Sequence, residues 1–178
     1  MRKPKTCRIC HEKYIPFNTI QATCLNPKCI LAYQRKLDEK RDKQERKRNR
    51  EAKHKLKTRS DWLKEAQREF NKYIRLRDSN QNCISCGRNP KKRNAGHYRS
   101  VGACPELRFE ETNCHIQCEH CNSYKSGNIV EYRSHLIEKI GLERVEWLEG
   151  KHEPKKYTID DIKEIKQIYR NKCKELEG

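Results

Sequence analysis

Asn113-Cys114-His115-Ile116-Gln117-Cys118-Glu119-His120-Cys121-Asn122 is the stretch that decides how this chain folds. Within it, Cys118 and Cys121 form a Cys-x-x-Cys knuckle, which offers two thiolates on one side of a tight turn. Cys83-Ile-Ser-Cys86 is a second such pair, with 31 residues between the two. Together the knuckles complete a tetrahedral four-thiolate site, the closed geometry of structural zinc. An ion held there organises folding and leaves no open position for chemistry.

Upstream, Cys7-Arg-Ile-Cys10 is followed, after wider gaps, by Cys24 and Cys29. This set reads as a zinc ribbon or finger. A redox role for Cys7 and Cys10 is the alternative, but no βαβ pattern surrounds them. Such staples suit the composition: 33% of the 178 residues are hydrophobic and 38% are charged, so the core must be thin. Eleven cysteines, an odd number, fit poorly with a complete disulfide framework. Met-Arg-Lys-Pro-Lys at the start is no apolar signal segment, so the expectation is a cytoplasmic, non-secreted protein with reduced thiols. No apolar run approaches the roughly 20 residues that span a bilayer, which argues against a membrane. The net charge of +17 calls for a polyanionic partner.

Composition divides the chain into a cysteine module over 1–30, a charged stretch over 31–59, a second cysteine-bearing region over 60–140 and closing helices over 141–178. The second of these holds thirteen Lys or Arg against five Asp or Glu. It reads both as a solvated helical linker and as a basic arm along phosphates, with Lys47, Arg48 and Arg50 the candidate contacts. Ser60 is the expected N-cap of a helix carrying Trp62, Ala66, Phe70, Tyr73 and Ile74. Asn128 is expected to cap a second helix ending at Gly141, and Thr158 with Asp161 forms a capping box for a third. Between Asn82 and Thr112, glycines and prolines leave room only for short strands and loops. The fold class is therefore α+β, small and zinc-stapled. Cys104, Cys114 and Cys173 read as small semi-buried residues, Trp62 and Trp147 as core, and His11, His54, His120, His135 and His152 as surface.

The loop between the knuckles holds more polar chemistry than a staple needs. His97, then Asn113 sixteen residues later, Asn122 directly after a Cys-x-x-Cys and Lys125 three residues on resemble the ββα-metal motif of HNH nucleases. Asn122 stands where the closing His usually stands, as in phage resolvases of the endonuclease VII type. The chain is also similar to the NinG (Rap) family of lambdoid phage recombination nucleases. That family's pattern is present at Ala95-Gly96-His97-Tyr98, Leu107-Arg108-Phe109, Asn113 to Asn122 and Ser126-Gly127-Asn128. The likeness spans the chain, and residues 83–133 carry its specificity.

What the resemblance implies is an HNH-like core behind a zinc module and a basic helical connector. The activity would be metal-dependent endodeoxyribonuclease cleavage of D-loops and Holliday junctions. Partners would be branched DNA and other phage recombination proteins. Symmetric cutting of a four-way junction favours a homodimer, although no coiled-coil stripe announces one. Phosphodiester hydrolysis needs a base, a cation and help for the leaving oxygen. His97 suits the base, Asn113 would hold the loop facing it, and Asn122 would bind Mg2+ or Mn2+ through its amide oxygen. Many HNH proteins place an Asp or His ligand just before the base, where this chain has Gly96. His115 is the best substitute ligand and His97 the other candidate. Arg99, Arg108 and Lys125 would hold phosphates.

Two further readings compete. A non-catalytic zinc-finger recombination accessory factor accounts for the charge and the cysteines but not for His97, Asn113 and Asn122 in that order. An RNA-binding regulator would call for aromatic platforms, and only 7% of the chain is aromatic.

Overall fold

A computed structural model describes residues 2–178 and divides the chain into two compact units, the first ending at Lys57 and the second running Thr58–Gly178. The architecture is α+β, with two small antiparallel sheets.

In the first unit, strands β1 (Lys5–Thr6) and β2 (Lys13–Tyr14) pair in the register Lys5↔Tyr14 and Thr6↔Lys13. Helix α1 (Pro27–Lys55) starts where the Asn26 side chain accepts from the Lys28 N–H at 3.0 Å, with Pro27 pre-set for the first turn. Its 29 residues make it about 43 Å long. Cys29 is its one buried residue, as a helix without an apolar stripe requires. Its last turn, Lys53-His54-Lys55, is basic, which complements the C-terminal end of the helix dipole.

The second unit opens with α2 (Arg59–Arg77). Its cap is Thr58, two residues before the expected Ser60, because Asp61 pairs reciprocally with Thr58 in a capping box. Trp62, Ala66, Phe70 and Ile74 fall on one face and are buried. Helix α5 (Ile159–Glu177), started by the Thr158–Asp161 box, packs against α2 through Ile162 and Tyr169. Between them and the rest of the core lies the hairpin of β3 (Arg93–His97) and β4 (Cys114–Cys118), with Gly96 opposite His115 and His97 opposite Cys114.

Alternation gives the hairpin two faces. Ala95 and Cys114 pack with Phe70 and Ile74 of α2. On the other face Tyr132 of α3 (Ile129–Ile140) donates its hydroxyl to the Gly96 carbonyl at 3.0 Å. Tyr132 and Leu136 join Tyr98, Leu107 and the buried residues Val145 and Leu148 of α4 (Leu142–Glu149). Asn128 stands before α3 as expected but does not cap it with its side chain, which turns to the Cys121 sulfur. Its backbone is left-handed, as are those of Ser126 and Gly127, so the Ser-Gly-Asn run reverses the chain between knuckle and helix. Cys104, Cys114 and Cys173 are buried. Trp147 is not core: it is 42% exposed, with the Arg144 guanidinium 3.8 Å from its ring centroid. Among the described residues no helix is long and apolar enough to cross a membrane.

Candidate active site and metal clusters

Both predicted cysteine sets assemble. Cys7, Cys10, Cys24 and Cys29 form one cluster and Cys83, Cys86, Cys118 and Cys121 the other, with the sulfurs of each within 4.8 Å of one another. A tetrahedron with metal–sulfur bonds near 2.3 Å has edges of about 3.8 Å. Cys10 and Cys24 sulfurs are 3.8 Å apart, and those of Cys86 and Cys118 are 3.9 Å apart. The thiols of one cluster do not ionise alike. Burial raises Cys7 and Cys83, but backbone N–H groups around each knuckle overcome it and bring them to about 6 and about 7. Burial and the neighbouring sulfurs push Cys29 up to about 12 and Cys121 higher still. Crowded thiolates repel, and a divalent cation relieves that repulsion.

His97 ends β3 beside α2, its ring centroid 5.8 Å from that of Phe70. Its Nε2 lies 3.0 Å from the Arg108 carbonyl oxygen, which can only accept, so Nε2 carries the proton. Nδ1 is then the basic nitrogen, with the Cys114 sulfur 3.7 Å away. Burial holds the imidazole below its usual 6.5, and it is neutral at neutral pH.

Asn113 is fully buried. Its Oδ1 accepts from the Arg99 N–H at 2.8 Å, and its Nδ2 donates to the Arg99 and Leu107 carbonyls at 3.0 and 3.2 Å. The loop carrying the Arg108 carbonyl is thus tied to β4 one residue before the carbonyl that orients His97.

His115 lies on the opposite face of the hairpin from His97. Its Nε2 donates to the Thr112 carbonyl at 3.2 Å, and its Nδ1 accepts from Arg77 at 3.0 Å. The Asp78 carboxylate is 3.5 Å from Nδ1, with Arg77 Nε 2.8 Å from its other oxygen. Burial, then the Lys139 and Arg77 cations, keep His115 below 6.5 against the pull of Asp78. Asp78 itself is raised by burial, but His115 and Arg77 outweigh that and hold it well below the usual carboxylate range. Both His115 nitrogens are engaged, so the lone pair that a cation would need is already shared with Arg77.

Asn122 sits in a π-helical turn, His120–Tyr124, directly after the second knuckle. It is partly buried, and its carboxamide has no partner among the described residues. Lys125 is exposed one turn on, Arg99 is partly buried with an unpaired Nε, and the Arg108 guanidinium reaches Gln67 at 3.3 Å. Lys47, Arg48 and Arg50 are exposed on α1 in the first unit.

Gly96 is filled from across the hairpin. A Cβ there would fall inside the Gln117 carboxamide, whose Nε2 donates to Ser85 Oγ and the Gly127 carbonyl, each at 2.6 Å. Its Oε1 is buried and without a hydrogen-bond donor. Gln117 thereby joins the first knuckle, the turn after the second knuckle and β3. Sequence reasoning passed over Gln117, Arg77 and Asp78. Gln117 stands in the Asn-x-His-x-Gln-Cys pattern just before the second knuckle and carried a signal; Arg77 and Asp78 at the end of α2 carried none.

The family model described as Bacteriophage Lambda NinG protein matches residues 1–178. Protein ninG of Escherichia phage lambda is 48% identical over 122 residues, covering 68% of this chain and 60% of that protein. For protein ninG of Escherichia phage 933W the figures are 47%, with 68% and 61% covered, and for that of Salmonella phage P22 they are 48%, 68% and 60%. The match spans about three fifths of the length of these relatives. No solved structure matches.

Proposed function

The chain belongs to the family of the bacteriophage lambda NinG protein, and from that premise we propose that it is a metal-dependent HNH-type endonuclease cutting branched DNA such as D-loops and Holliday junctions. The observation that carries this reading is the state of His97, neutral, with Nε2–H held by the Arg108 carbonyl and Nδ1, whose one neighbour of hydrogen-bonding type among the described residues is the weak Cys114 thiol donor, as the nitrogen to accept a proton. The succession of the β3–β4 hairpin, the second knuckle, the turn bearing Asn122 and helix α3 supports the reading as a ββα-metal core.

Zinc is the ion assigned to the two four-cysteine clusters. Asn122, with an unpartnered amide and an oxygen donor suited to a hard cation, is the residue to hold Mg2+ or Mn2+. Such an ion, when bound, would supply positive charge to offset the negative charge that develops in the transition state. His97 Nδ1 takes the proton of the attacking water as its oxygen adds to phosphorus and the P–O bond to the leaving oxygen breaks. Asn113 keeps the Arg108 carbonyl on Nε2, which supports the imidazolium that forms. Lys125 and Arg99 hold the phosphate. His115 becomes a positioning residue in the Arg77–Asp78 network rather than the substitute ligand. The domain reading is a zinc module, a basic connector, this core and its closing helices.

A nicking assay on junction and linear DNA, with and without Mg2+ or Mn2+, tests the proposal. Metal-dependent cutting of the junction is expected. Tight junction binding with no cutting under either metal would leave the accessory-factor reading in its place.

A further inference from the structure

Helix α2 has two differently charged sides. Of its three acidic residues, Glu65 pairs with Lys166 of α5 at 2.8 Å, Asp61 closes the capping box, and Glu69 lies toward α5, where its carbonyl accepts from the Cys173 thiol. Lys64, Arg68, Asn71 and Arg75 lie three or four residues apart, which places them on one side of the helix, with Gln67 beside them. None of Lys64, Arg68 and Arg75 has a carboxylate within ion-pair distance among the described residues, and none belongs to the buried face.

These side chains and Arg108 line a shallow groove of about 310 Å³. The groove has internal order: the Arg108 guanidinium donates to Gln67 Oε1 at 3.3 Å, and Gln67 Nε2 donates to Asn71 Oδ1 at 2.9 Å. Burial lowers the Arg108 pKa, with Tyr157 opposing and the nearby Arg59 adding to the shift, as for a cation partly stripped of water. Lys64 to Arg75 covers about 16 Å of helix at about 1.5 Å per residue. One strand of a duplex carries a phosphate per about 3.4 Å of duplex axis, so a duplex aligned with the helix would bring about five of its phosphates past this length. Arg108 links the groove to the candidate base: its side chain lines the groove while its carbonyl holds His97, and Phe70 of the same helix packs beside that ring.

We propose that the groove formed by Lys64, Arg68, Arg75 and Arg108 along α2 binds the phosphate backbone of one DNA strand and leads it to His97. This rests on the nuclease reading and gives it a second contact surface besides the basic connector. The side chains are cations and amides without an aromatic among them, so the groove follows phosphates and does not read bases.

The test is junction binding by the zinc-loaded full chain over a series of salt concentrations, comparing wild type, the triple variant Lys64→Ala, Arg68→Ala, Arg75→Ala, and the charge-keeping Arg68→Lys, Arg75→Lys. Alanine preserves the exposed helix, and zinc content checks the fold. The triple variant is expected to reduce the slope of log affinity against log salt by about 2 to 3, at about 0.9 per lost contact. The charge-keeping variant is expected to retain most of it. An unchanged slope in the triple variant overturns the groove while leaving the nuclease reading intact. Wild type that neither binds nor cuts DNA removes both. Equal loss of binding to a polyglutamate chain, with DNA binding retained, would assign the groove to an acidic protein and overturn the proposal.

Discussion

The Asn113 carboxamide grips the backbone of Arg99 from both sides, accepting from its N–H at 2.8 Å and donating to its carbonyl at 3.0 Å. Asn113→Ala leaves these groups and the Leu107 carbonyl without their partner in a buried place. Each costs about 1–3 kcal/mol when unsatisfied. Denaturant unfolding is expected to show a large loss of stability, and cleavage is expected to fall with it as the Arg108 carbonyl shifts from His97. Stability within a few tenths of a kcal/mol of wild type would show that the loop holds without this clamp.

His97→Ala is expected to lower cleavage by roughly two to four orders of magnitude, the worth of a positioned base, with DNA affinity little changed. The active form is the neutral imidazole, and burial lowers its pKa from 6.5. The single-turnover rate in wild type should therefore rise with pH up to a value below 6.5 and then stay flat. A rate still climbing well above that value points to a different base.

Much of the architecture was legible because it depends on local spacing. Three of the four cysteine pairs follow from knuckle spacing, Cys24 and Cys29 are spaced more widely, and the Thr158–Asp161 box lies within four residues. Thr58 was missed because Ser60 is an equally good capping residue and only the reciprocal bond to Asp61 selects between them. His97 and Asn113 were legible as a pair, yet their link runs through the Arg108 carbonyl, a backbone atom that no sequence pattern marks. His115 was read as a ligand since nothing in sequence places Arg77 and Asp78, 38 and 37 residues earlier, against its ring. Trp147 kept a helical apolar spacing, but the surface of α4 leaves it to Arg144.

Elemental analysis of protein purified without chelators should find two zinc ions per chain, one for each cluster. Cys118→Ser is expected to unfold the second unit, where metal-binding free energy is also folding free energy. Cys10→Ser should remove one ion and leave the second unit's near-ultraviolet dichroism in place. Finding a single zinc in the wild type would sink one assignment.

His97 and His115 are both kept below 6.5 by burial. The unfolded chain therefore binds protons that the folded one refuses as pH falls beneath that value. Their stabilisation is complete above 6.5 and is lost toward the lower folded values. With zinc in excess, the urea midpoint should fall over that window. His115→Gln, which can still accept from Arg77 and donate to Thr112, should flatten the fall. Parallel curves for the two proteins would show that His115 does not contribute to it.

Gly96→Asp places a side chain in space already taken by the Gln117 carboxamide. Overpacking of this kind costs about 1–3 kcal/mol, and the new carboxylate is buried as well. Gln117→Ala in the same chain vacates that space, so the double variant is expected to unfold at higher urea than Gly96→Asp alone. Equal midpoints would mean that the glycine answers to something other than Gln117.

The same overlap bears on how such chains diverge. A carboxylate or imidazole before the base cannot share this space with Gln117 in its present conformation, so the residues at 96 and 117 are coupled. A side chain gained at 96 requires Gln117 to swing off Ser85 and the Gly127 carbonyl or to give way to a smaller residue, whereas glutamine lost first opens a small void.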